Sequence, residues 1–185
     1  MKNNYLIIHG SFGTPYSNWF PWLHKHLKQS NEKVIVPYFP YGKDFQTFEN
    51  WASLLDNYRK LRIINSNTIV IAHSIGCAFI AKYLLDRGMI FSKLILIAPF
   101  NNYSVDNGGE YDYVNKSFFT DNLGLVKDYV GEIICLYSDN DPYVKFEACK
   151  KFAIDIQAKD IIISNGGHLN SESGYDSFEE LLEYI

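Results

Sequence analysis

Apolar residues along this chain gather into six short runs, separated by longer stretches in which they recur every three or four positions. The runs YLIIH (5–9), KVIVPYF (33–39), TIVIAH (68–73), KLILIAP (93–99), EIICLYS (132–138) and DIIIS (160–164) read as strands. Most are continuously apolar and rich in Ile and Val rather than alternating, the pattern of strands covered on both faces. Between them the helical period predicts helices near 18–29, 45–61, 75–87, 143–154 and 176–185. The first carries Trp19, Trp22, Leu23, His26 and Leu27 at helical spacing, with Asn18 as its expected cap and Pro21 in its first turn. Gly88 is placed to end the third.

Strands and helices that alternate in this way imply right-handed crossovers and a parallel sheet with helices on both faces, an α/β architecture. No internal repeat, low-complexity tract or Gly/Ser linker interrupts residues 1–185, which are expected to form one domain. The long connection from Phe100 to about Val130, with NNYSVDNGGEYDYVNKSFFTDNLG at its heart, shows little helical period at first. Long connections in compact domains often serve as lids or binding loops, and a plain solvent excursion is the other reading.

Composition narrows the picture. Charged residues make up 21% of the 185 and are scattered, and the net charge is −4, so the chain offers no basic surface for a nucleic-acid backbone. The opening MKNNYLIIHGSFG holds only four consecutive apolar residues, too few for the apolar core of a secretory signal, and no stretch approaches the ~18 apolar residues that cross a bilayer. Cys77, Cys135 and Cys149 are odd in number and far apart, which suggests neither a disulfide framework nor a zinc site. A cytoplasmic protein without metal, cofactor or membrane partner is expected.

The candidate chemistry begins at AHSIG (72–76), between an apolar strand and an apolar helix. A serine at such a turn needs small residues two places either side, and Ala72 and Gly76 satisfy that requirement although glycine is commoner at the first. Ser74 is the candidate nucleophile, and the Ile75 N–H, at the helix start, the natural oxyanion donor. HGSFG (9–13) after the first strand should supply a second donor, Ser11 in preference to Phe12, with His9 organising the loop. A serine hydroxyl becomes a nucleophile only when a base takes its proton and a third group orients the base. The base expected is His168, after two glycines in SNGGHLN. The acid comes from SDNDPYV (138–144), where Asp141, followed by Pro142, is favoured over Asp139, expected to serve the turn itself. His73 is assigned to loop support, and His24 and His26 to surface or packing.

Taken together, HGSFG, the Trp-rich NWFPWL (18–23), AHSIG, DNDPYV and GGH resemble the small α/β-hydrolases grouped with retinoblastoma-binding protein nine and the YdeN-like serine hydrolases. The resemblance runs over nearly the whole chain, and NWFPWL is what narrows it. It implies a three-layer α/β-hydrolase fold reduced to six parallel strands in the order 2-1-3-4-5-6, without a large cap domain. It also implies a triad of Ser74, Asp141 and His168. The expected function is cleavage of small acyl compounds, carboxylic esters first, by an esterase that needs no cofactor. Phe12, Trp19 and Phe100, with Tyr103 and Tyr111, are candidates to line the acyl pocket. The residues leave thioesters, amides and acyl transfer open, and the alternative is a protein-binding module in which catalysis is secondary.

Overall fold

The computed structural model describes residues 3–102 and 109–185. Six parallel strands form its sheet: β1 (Asn4–Ile8), β2 (Lys33–Ile35), β3 (Thr68–His73), β4 (Phe91–Ile97), β5 (Val130–Ser138) and β6 (Lys159–Ile163), in the order β2-β1-β3-β4-β5-β6. The longer helices are α1 (Phe20–Gln29), α2 (Phe48–Lys60), α3 (Ile75–Arg87) and α5 (Phe146–Asp155). A shorter α4 (Glu110–Asn115) lies in the connection from β4 to β5. Among the described residues there is no cap domain.

Continuous apolar strands follow from cores on both faces of the sheet. Leu6 and Ile8 of β1, Val70 and Ala72 of β3, and Leu94 and Leu96 of β4 pack with Trp51 of α2 and Phe79 of α3. The intervening Tyr5, Ile7, Ile69, Ile71, Ile95 and Ile97 point the other way, onto Phe20 and Leu23 of α1 and Phe178 and Leu181 near the C-terminus. The edge strands β2 and β6 keep several exposed or half-exposed residues, as expected where only one side is paired.

Several sequence-based boundaries move, each for a local reason. The second strand stops at Ile35 instead of 39, just before Pro37, which lacks the N–H that a ladder needs. Phe39 instead turns into the core and stacks on Trp51 at 4.5 Å. The helix predicted from 45 starts at Phe48, where the Thr47 side chain accepts from Asn50 N, so Phe45 and Gln46 lie outside it. Asn18 does not cap α1: the cap position falls to Trp19, and Asn18 (φ 51°) accepts a hydrogen bond from Ser171 N at 3.2 Å. The last predicted helix is a 3-10 segment over Glu179–Tyr184. Phe178 and Leu181, three apart and both buried, suit three residues per turn better than 3.6.

Packing is close where α3 leaves β3. A Cβ on Gly76 would stand 2.8 Å from His9 O and 2.9 Å from Ile8 Cγ2. Gly76→Ala is therefore expected to lower stability by roughly 1–3 kcal/mol, read as a lower urea midpoint at unchanged m-value.

Candidate active site

Ser74 sits between β3 and α3 with φ 57° and ψ −127°, a backbone state that a non-glycine residue occupies at a cost of about 1–3 kcal/mol. The strand ends hold it there: Ser74 N donates to Ile97 O at 2.8 Å, and Cys77 N donates to Ser74 O at 3.0 Å. The HGSFG loop closes over it so tightly that a Cβ on Gly10 would lie 2.9 Å from Ser74 Cβ. Ala72 is fully buried, and its carbonyl accepts from Cys77 Sγ at 3.3 Å.

His168, far along the chain, reaches this serine. Its Nδ1 lies 2.7 Å from Asp141 Oδ2 and its Nε2 3.2 Å from Ser74 Oγ. A carboxylate only accepts, so Nδ1 carries the proton and the Nε2 lone pair faces the serine hydroxyl. The other oxygen, Asp141 Oδ1, accepts from Tyr143 N at 2.8 Å and Val144 N at 2.9 Å, which locks the carboxylate in one orientation. Asp139 instead holds the loop after β6, accepting from Asn165 N and Ser164 Oγ.

Sequence reasoning passed over the partners that hold the His168 loop. Ser138 Oγ accepts from Gly166 N and Asn140 Oδ1 from Gly167 N, each at 2.8 Å, and Ser173 Oγ accepts from His168 N at 3.1 Å. The signal available was the dense run of short polar residues, SDND, at the end of β5. Any side chain on Gly167 (φ 56°) would be strained, since its Cβ would collide with the Ser173 side chain.

Two buried histidines brace the same region. His73 Nε2–H donates to His168 O at 3.0 Å, so His73 supports the loop. His9 Nδ1–H donates to Gly10 O at 2.9 Å, and Phe39 N–H donates to His9 Nε2 at 3.4 Å. Burial pushes the His9 pKa down to about 4. Burial, helped by the neighbouring His168, takes that of His73 to about 3. His24 and His26 lie exposed on α1.

A cleft of about 280 Å³ opens over Ser74 and His168, walled by Ser11, Phe12, Phe100, Tyr111, Asn115 and Tyr143 among others. Phe12 and Phe100 thus line the cleft. Trp19 does not: it is fully buried among Phe20, Phe178 and His73, and its Nε1–H donates to Leu169 O at 3.0 Å. Its size and indole N–H serve the core and the His168 loop. Tyr103 lies outside the described residues. As the first residue of α3, Ile75 has an N–H without an intrahelical acceptor. In the other loop Phe12 N–H is already committed to Gln46 Oε1 at 2.9 Å. Among the described residues no cluster of three or more His, Cys, Asp or Glu could hold a metal ion.

The fold is that of an α/β hydrolase. Over residues 5–185 the chain matches the model of the serine hydrolase family, and it belongs to that family. It is 26% identical over 179 residues to YdeN of Bacillus subtilis (strain 168), across 96% of this chain and 91% of YdeN. The crystal structure of the ydeN gene product superposes with a TM-score of 0.85, covering 99% of this chain and 96% of that one, at 23% identity. An α/β-hydrolase-fold protein from Burkholderia ambifaria aligns at TM-score 0.68 and 14% identity, over 100% of this chain and 90% of its own. The 2-hydroxy-6-oxo-6-phenylhexa-2,4-dienoate hydrolase of Rhodococcus sp. strain RHA1 aligns at 0.72 and 10%, over 99% and 89%.

Because His9 and His73 stay neutral when folded but take up protons near pH 6.5 when unfolded, their contribution to stability is complete above that pH. It is lost as the pH falls from 6.5 toward 4. The urea midpoint should drop between pH 7 and pH 4.5, and His9→Gln should flatten that dependence.

Proposed function

We propose that this chain hydrolyses small carboxylic esters through an acyl-enzyme on Ser74. The observation that carries the reading is the unbroken hydrogen-bonded chain from Asp141 through His168 to Ser74, opening on a small cleft. In the first half-reaction Ser74 Oγ attacks the carbonyl carbon while its proton passes to His168 Nε2. Asp141, bonded at Nδ1, supports the resulting imidazolium. The N–H groups of Ile75 and Ser11 hold the negative oxygen. The tetrahedral intermediate collapses as His168 returns that proton to the departing alkoxide, and the alcohol leaves. Water then gives a proton to His168 and attacks the acyl-serine, and collapse of the second intermediate releases the acid and restores Ser74.

The size of the cleft favours short acyl groups, and the aromatic rings of Phe12 and Phe100 favour an apolar one. The partner implied is a small-molecule acyl substrate. Three buried free thiols, Cys77, Cys135 and Cys149, are consistent with work in the reducing cytoplasm.

The test is reaction of purified protein with a fluorophosphonate probe, followed by turnover of acyl esters of graded length. Ser74→Ala should abolish labelling. His168→Ala and Asp141→Asn should slow ester turnover by about 10³-fold or more, and Asp139→Asn by less than about threefold. An unlabelled, folded wild type would sink the hydrolase reading and favour a protein-binding role.

A further inference from the structure

Two buried amides beside the cleft have no part in the chemistry described so far, although both are only 1% exposed. Gln46 lies just before α2, and Asn115 ends α4, 69 positions later. The Phe12 backbone N–H can only donate, so the Gln46 atom facing it at 2.9 Å is the oxygen Oε1. Gln46 Nε2 is then the donor to Asn115 Oδ1 at 3.1 Å, and Asn115 Oδ1 also accepts from Ser11 Oγ at 2.6 Å. One backbone bond thereby fixes the orientation of both amides.

Both ends of this bridge are unusual. Phe12 holds φ 53°, a left-handed conformation that a phenylalanine keeps only when its surroundings over-determine it. At the other end Asn115 Nδ2 is buried without an acceptor among the described residues. A residue serving packing alone would gain by replacement with an apolar side chain, so its value lies in what Oδ1 holds. The anchorage is firm: in the next turn Ser117 accepts from Phe48 N at 3.0 Å and from Lys82 Nζ at 2.6 Å, which ties the end of α4 to α2 and α3.

We propose that Gln46 and Asn115 are positioning residues for the oxyanion loop. Gln46 occupies the Phe12 N–H and keeps that residue left-handed, so that the preceding N–H, of Ser11, is the one turned to the cleft. Asn115 holds Gln46 and the Ser11 hydroxyl in place from the wall of the cleft. This rests on the proposed role of Ser74, because a positioned oxyanion donor matters only if an oxyanion forms. It also makes α4 part of the catalytic geometry rather than a passive wall.

The test uses Gln46→Met and Asn115→Leu in the full chain, with folding checked by thermal melting. In Gln46→Met, kcat for a short ester should fall about 10–100-fold while KM moves less than about threefold, the split expected when a donor acting only in the transition state is misaligned. Hydrogen exchange at the Phe12 amide should accelerate by about tenfold or more. Asn115→Leu should reproduce both effects more weakly, and the double variant should be no slower than Gln46→Met alone, since both cut one chain of bonds. A folded Gln46→Met with wild-type kcat, or with unchanged Phe12 exchange, overturns the proposal. If wild type fails to label with the fluorophosphonate, the hydrolase reading fails on its own account. The Phe12 exchange then still decides whether Gln46 holds the loop.

Discussion

The end of β1 and the turn from β3 into α3 are pressed together until no Cβ fits between them, and the rest of the site depends on that contact. Gly10 meets Ser74 and Gly76 meets the His9 carbonyl, so the loop after β1 and the start of α3 share one surface. The strained backbone of Ser74 is affordable only because its N–H is taken by the end of β4 and its carbonyl by Cys77. The outcome is a serine hydroxyl presented at the end of the sheet, 3.2 Å from His168 Nε2.

Around this contact the polar groups are arranged as braces for loops. The His168 loop hangs from Ser138, Asn140 and Ser173 on one side and from His73 and the Trp19 indole on the other, through bonds to backbone atoms. His9 does the same for the loop above Ser74. Burial holds both imidazoles neutral, the state that His9 needs for its Nε2 to accept from Phe39 N. Three histidines crowd one region, yet two are structural and one reaches the serine. Which is which follows from the bonds each ring makes.

The strand order, with β1 and β3 adjacent where the order reverses, brings loops from both halves of the sheet to one end. The residues after β4 add Tyr111 and Asn115 to the cleft wall and are tied down by Ser117. The described part of that connection is thus neither a cap domain nor a free excursion. It is a wall, joined through buried amides to the loop that faces it.

Local periodicity was enough to read the six strands, the four longer helices and the serine turn, because burial on both sheet faces and the steric demands of a tight turn act on neighbouring residues. Ser74, Asp141 and His168 were legible for the same reason: each stands at a strand end marked by its own glycines or turn residues. The resemblance to a known family supplied the strand order. What only the tertiary structure decided were matters of long-range contact. Trp19 looked like a pocket residue, but the C-terminal segment and the His168 loop close over it. Asn18 looked like a cap, but its side chain is drawn to Ser171. Gln46 looked like part of a helix face, and its two partners lie 34 and 69 positions away. No period along the chain encodes such pairings, since they arise only when separate elements pack and each buried polar group must find its partner there.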